Sequence, residues 1–254
     1  MIVSAAICPC PPLLAVELTG QAQVLPDLST ACAAAVSRLV AAGPDVLVVA
    51  GPGDETADWP ADGRLDVALY GPALGHTSRA AGAGPGAGAG RGGDPGPDGD
   101  TGPGGGAPAL PLSLGIGARL LDEAGYSGPR VFHGIGALAP PAACLRLGEQ
   151  IAASAPRVAL LAMGDGSARH SVSAPGYLDE RAAPFDAAVE RAVRAGDLAA
   201  LAALDPALAA DLMAAGRPAW QVLAGALAGN LVTEILYSGA PLGVAYLVAA
   251  LTPR

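Results

Sequence analysis

Short apolar runs, most of them bounded by glycine or proline, alternate with longer stretches of helical spacing, and this alternation constrains the chain most. Ile2–Ile7, Val46–Ala50, Val67–Tyr70, Val131–Ile135, Val158–Met163 and Val244–Val248 read as buried strands. Between them, Glu17–Ala42, Leu114–Ala124 and Ala142–Ala155 have helical periodicity. Pro184–Ala195 carries Phe185, Val189 and Val193 on one face and stops at Gly196. Asp197 and Asp205 have the position and chemistry of N-caps for two short helices, the second with Pro206 in its first turn and Gly216 past its end. A further helix is expected from Pro218 to about Tyr237, with a break near Gly229. The pattern predicts an α/β fold: one three-layer domain over residues 1–254 with a central, mostly parallel sheet.

One segment breaks the pattern. From Ala80 to Pro108 only Ala, Gly, Pro, Arg, Asp and Thr occur. Such a stretch has no large apolar side chain to offset its ordering entropy, so a disordered Gly/Pro-rich insertion is expected at 80–108. Gly88-Ala89-Gly90-Arg91-Gly92-Gly93 matches GxGxxG in letters, but no strand precedes it and no helix follows, so it does not read as a dinucleotide loop.

Charge narrows the partners. With 23 acids against 14 bases the formal charge is −9, which disfavours a nucleic-acid backbone. Every base is arginine, so neither a P-loop lysine nor a Schiff base is available. The uncharged run Ile235–Pro253 is interrupted by Gly239, Pro241 and Gly243, which argues against a membrane span. Four cysteines do not make a secreted disulfide framework, and the N-terminus lacks the positive start of a signal peptide. The expectation is a soluble, cytoplasmic protein.

In a parallel sheet the chemistry gathers where strands end. The first strand runs into Cys8-Pro9-Cys10-Pro11-Pro12, the second into Gly51-Pro52-Gly53-Asp54-Glu55, and the run ending at Met163 into Gly164-Asp165-Gly166-Ser167-Ala168-Arg169-His170. These turns should converge on one sheet edge. Asp165 and Ser167 also suit a tight turn, and His133 suits a satisfied core histidine. Cys32 and Cys144 fall on helical patterns and read as core.

Motif order supplies a resemblance. Ala6-Ile7-Cys8-Pro9-Cys10-Pro11-Pro12-Leu13-Leu14, Asp45–Pro52, Leu120–Gly125, Met163–Ala168, Ala174-Pro175-Gly176-Tyr177 with Leu178–Arg181, Glu234–Tyr237 and Gly239–Tyr246 follow one another at family spacing. The chain resembles the B-subunit superfamily of class III extradiol ring-cleavage dioxygenases, and more closely its actinobacterial B-subunit-like branch. That resemblance implies an Fe(II) site of two histidines and a glutamate, a catechol-like substrate, and a histidine acting as acid and base. Carried over, the first metal histidine falls on Cys10, the second at or beside Gly53, and the glutamate on Glu234. His76 is the further imidazole available to the metal, His170 is the histidine available as acid and base, and Asp165 is a catalytic candidate from its place in the same strand-end turn. The implied partners are a small catechol-like molecule and a second copy or companion subunit.

With cysteine and glycine at two ligand positions, the metal site is degenerate. Two readings follow: ferrous ring cleavage, or a non-catalytic relative that binds a small molecule or a protein. A third, a hydrolase using Ser167 with His170 as base, lacks the GxSxG elbow, since Asp165 and Arg169 stand where that motif has glycines.

Overall fold

A computed structural model describes residues 1–15, 19, 24–67 and 108–254. Along the chain come strands β1 (Ile2–Cys8), β2 (Val46–Gly53), β3 (Ala57–Trp59), β4 (Arg64–Leu65) and β5 (Ala109–Leu110). They are followed by β6 (Arg130–Gly136), β7 (Val158–Met163), β8 (Leu231–Gly239) and β9 (Tyr246–Pro253). The helices are α1 (Pro26–Ala41), α2 (Leu112–Glu123), α3 (Pro141–Ala153), α4 (Ala182–Ala195), α5 (Leu198–Ala202), α6 (Pro206–Asp211) and α7 (Arg217–Ala226).

Seven strands form one sheet in the order β3-β6-β2-β7-β1-β9-β8. Its centre, β6-β2-β7-β1, is parallel, and antiparallel strands finish both sides. The alternation expected from the sequence is therefore an α/β fold with a mostly parallel sheet between helical layers. Strand β7 shows why its sequence is apolar throughout. Val158, Leu160 and Ala162 enter the core under α3, α4 and α7, while Ala159, Leu161 and Met163 enter the core under α1 and α2. A strand covered on both faces has no position left for a polar residue.

Local chemistry sets the helix ends. The Asp197 carboxylate accepts from the Ala200 N–H, and that of Asp205 accepts from the Ala207 N–H, so both act as N-caps. Gly196 closes α4 in the left-handed conformation, φ 66°. Two adjustments follow. Gly216 does not end the helix that Asp205 caps, which stops at Asp211; it caps α7 instead. The helix expected over Pro218–Tyr237 ends at Ala226, and Leu231–Gly239 is strand β8, paired antiparallel with β9. Gly229 takes φ +75° and turns the chain, after which β-branched Val232, Thr233 and Ile235 suit a pleated edge better than a helix.

Residues 68–70 of the expected strand Val67–Tyr70, most of 17–23, and 80–107 of the expected insertion lie outside the described residues. Among the described residues no helix is long and apolar enough to cross a membrane.

On the α3–α7 side the packing is unusually close. A Cβ placed on Gly148 of α3 would lie 2.1 Å from the Val222 carbonyl oxygen, and one on Gly225 of α7 would lie 2.2 Å from that of Leu145. Nearby, Arg217 is 1% exposed and has no carboxylate partner among the described residues. Its guanidinium donates to the carbonyls of Ala137 and Ala139 and to Gln221 Oε1. Gln221 Nε2 passes the network on to the carbonyls of Ala202 and Leu204.

Candidate functional site

Parallel register brings the turns after β1, β2 and β7 to one sheet edge, as expected from their sequences. They frame a cleft of about 560 Å³ lined by Cys10, Pro12, Pro52, Gly53, Asp54, Trp59, Ala109, Leu110, Pro111, Leu112, Ser113, Asp165 and Ala215. The first turn of α2 forms one wall. Its start is fixed by the Ser113 hydroxyl, which donates to the Pro52 carbonyl at 2.6 Å, and Pro111 supplies no side-chain cap to the helix N–H groups. Gly51 permits this contact, because a Cβ there would lie 2.8 Å from Ser113 Oγ.

Cys10 and Asp165 meet inside the cleft. The Cys10 N–H donates to Asp165 Oδ1 at 2.7 Å, and the thiol hydrogen-bonds the same carboxyl. Burial, followed by the carboxylate's charge, raises the thiol well above its usual pKa, so Cys10 stays a thiol. Burial also raises Asp165 to about 6, against the pull of its two bonds from Cys10. Tyr246, which lines the neighbouring cavity, feels the charge of this pair: burial, then Asp165 and Cys10, raise its phenol above the ordinary range, so it stays protonated.

The sign of a pH effect follows. Unfolded, the Asp165 carboxyl titrates near 3.8, and folded it keeps its proton to about 6. Between these values the folded state holds the extra proton, so stability falls as pH rises through this window and stays lower above it. Asp165→Asn keeps an acceptor for the Cys10 N–H and carries no charge. It should stabilise the protein at pH 7–8 by about 1–3 kcal/mol and leave stability at pH 4 nearly unchanged. Urea titrations from pH 4 to 8 measure this; a slope in the variant as steep as the parent's would refute it.

The turn after β7 faces two ways. Asp165 lines the cleft, but His170 lines a second cavity of about 260 Å³ on the α4–α7 side. There His170 Nε2 lies 2.7 Å from Asp186 Oδ2, and Asp186 Oδ1 accepts from the Ser167 N–H at 3.0 Å. Burial raises Asp186, with the His170 bond opposing it. His170 and Asp165, both expected to be catalytic, therefore face different cavities: the turn after β7 carries Asp165 to Cys10 and His170 to Asp186. Ser167 is fully buried, donates to the Leu212 carbonyl at 3.0 Å and is no exposed nucleophile.

Nor does Glu234 join Cys10. It sits in mid-strand on β8, opposite Ala250, and takes a two-pronged ion pair from Arg38 of α1 at 2.7 and 3.1 Å. That bond to Arg38 holds its carboxyl below the usual range. Two strands, β9 and β1, separate β8 from the cleft-forming end of β7. His76 lies outside the described residues. Among the described residues no three His, Cys, Asp or Glu side chains are grouped to hold a metal ion. A protonated thiol, a glycine and a distant ion-paired carboxylate do not fit the donor set of a ferrous centre.

Trp59, Trp220 and Tyr246 line these two spaces without any local sequence pattern that marks them as site residues. Asp186 and Glu190 do carry a signal: two acids four apart on a helix face that otherwise presents Ala183 and Ala187.

No family model matches the chain, and no curated protein matches it. Among solved structures it is similar to the uncharacterized protein JW3007 from Escherichia coli K12, over 98% of this chain and 99% of that one, with a TM-score of 0.50 and 13% identity. The likeness is one of fold.

Proposed function

We propose that this protein is a binding protein on an extradiol dioxygenase-like fold, and that its cleft takes a catechol-like molecule without cleaving the ring. One observation carries the reading: an apolar cleft at the converging strand ends has polar groups left over for a ligand. Pro12, Pro52, Leu110 and Leu112 offer walls for an aromatic ring. The Trp59 indole N–H is buried with no acceptor among the described residues, and the first N–H groups of α2 have no side-chain cap. A ring carrying hydroxyl oxygens supplies acceptors to both, and Asp165 can accept or donate near neutral pH.

Two measurements on the full chain, purified anaerobically without chelator, test it. Iron should stay below about a tenth of an equivalent. Catechol should bind by calorimetry without oxygen uptake, and Leu112→Glu should weaken it at least tenfold. An acid suits the first turn of a helix, so this variant places charge in the cleft without unfolding α2. Near-stoichiometric iron with oxygen uptake would restore ring cleavage; failure of catechol to bind would end the proposal.

A further inference from the structure

The second cavity lies across the β7 turn from the cleft, between α4, α7, the end of β8 and the start of β9. We propose that it is a binding site for a small organic amine with an apolar body, a site distinct from the catechol cleft.

Charge is the first argument. Helix α4 turns Ala183, Asp186, Ala187 and Glu190 toward the cavity, so two carboxylates project from neighbouring turns between two alanines. Acids four apart repel on a helix face, so some group of opposite charge has to offset them. Among the described residues two basic side chains face them. His170 is bound to Asp186, and Arg194 donates to Glu190 Oε1 at 2.6 Å from a position that is 62% exposed. Ser238 Oγ donates to Glu190 Oε2 at 2.7 Å, and this bond, with that of Arg194, holds Glu190 below the usual carboxylate range. The cavity thus keeps an ionised carboxylate at its mouth and a second, more buried one behind it. Each carboxylate oxygen has more than one acceptor direction, so the bonds already present leave room for an ammonium group.

The walls are the second argument. Val189, Leu247, Ala240, Ala245 and the Trp220 indole surround the acids with apolar surface. Trp220 is 1% exposed, and its indole N–H has no acceptor among the described residues, so an oxygen of a ligand in the cavity would satisfy it. The ligand is therefore an amine that also carries a neutral oxygen or a π face, not an anion, which both carboxylates would repel. Indole is also a favourable neighbour for a cation. At about 260 Å³ the space falls below the range of drug-sized pockets, so the amine is small. Gly166 shapes the entrance, because a Cβ there would meet Asp186 Oδ1 at 2.5 Å.

Calorimetry on the full chain with tyramine, its neutral counterpart 4-(2-hydroxyethyl)phenol and its anionic counterpart 4-hydroxyphenylacetate tests this. Tyramine should bind at least tenfold more tightly than the alcohol, and the acid least of all. Glu190→Gln, which keeps the shape of the side chain, should remove at least tenfold of the tyramine affinity and little of the alcohol's. Asp186→Asn is the second variant; since Asp186 holds the Ser167 N–H, its fold is checked by circular dichroism first. Equal affinity for amine and alcohol, no binding of tyramine, or full tyramine affinity in Glu190→Gln would each overturn the proposal. These outcomes are independent of whether catechol binds the cleft.

Discussion

Gly148→Val should lose most of the stability of the domain, and even Gly148→Ala should lose about 3 kcal/mol or more. Overpacking a core commonly costs about 1–3 kcal/mol where side chains can rearrange. Here the first atoms met are backbone, the Val222 carbonyl oxygen at 2.1 Å and the Ala226 nitrogen at 2.6 Å, so relief requires α3 and α7 to separate. Alanine has a helix propensity better than glycine by about 1 kcal/mol, which works in the variant's favour and is outweighed. Against a total of about 5–15 kcal/mol, valine leaves little. Denaturant midpoints measure both losses. An alanine variant within about 1 kcal/mol of the parent would mean the helices do not cross this closely.

Arg217→Met should cost about 3 kcal/mol or more. The methionine fills much of the same volume and removes the cost of burying a cation. It also takes the charged donor from three acceptors, the carbonyls of Ala137 and Ala139 and the Gln221 amide oxygen, leaving Ala139 only the weak Cys144 thiol at 3.9 Å, and each unpaired buried group costs about 1–3 kcal/mol. The second effect outweighs the first. A double variant with Gln221→Leu should recover part of the loss, because it withdraws one of the stranded groups. A methionine variant as stable as the parent would show that water or rearrangement satisfies all three.

Much of this fold is legible in the sequence because burial on both faces forces an unbroken apolar run. The expected Val158–Met163 is β7 residue for residue, and Ile2–Ile7 and Val46–Ala50 fall inside β1 and β2. The segment after α7 is less legible. Leu231–Gly239 lies half-exposed beside β9, so its period-two pattern is diluted, and only the pairing with β9 fixes it as a strand. The candidate site divides in the same way. That Cys10 and Asp165 approach each other follows from strand ends in a parallel sheet. That His170 turns away does not, because its partner Asp186 comes from α4, a helix whose placement no local pattern specifies. Glu234 shows the converse: motif order suggests a ligand, and the register of an edge strand gives it to Arg38.

The sheet order also bears on how this chain folds. Strand β1 comes first among the described strands, yet its two neighbours are β7 and β9, with Ala5 opposite Leu160 on one side and Leu251 on the other. No hairpin can hold it in the meantime, since among the described strands the only consecutive pair in the main sheet is β8 with β9. Loops of this length must close before the centre of the sheet gains its bonds, which is the slow regime for folding. During synthesis the Ile2–Cys8 run therefore waits, apolar and unpaired, at least until Val158–Met163 has been made, and that interval is when it is most exposed to aggregation.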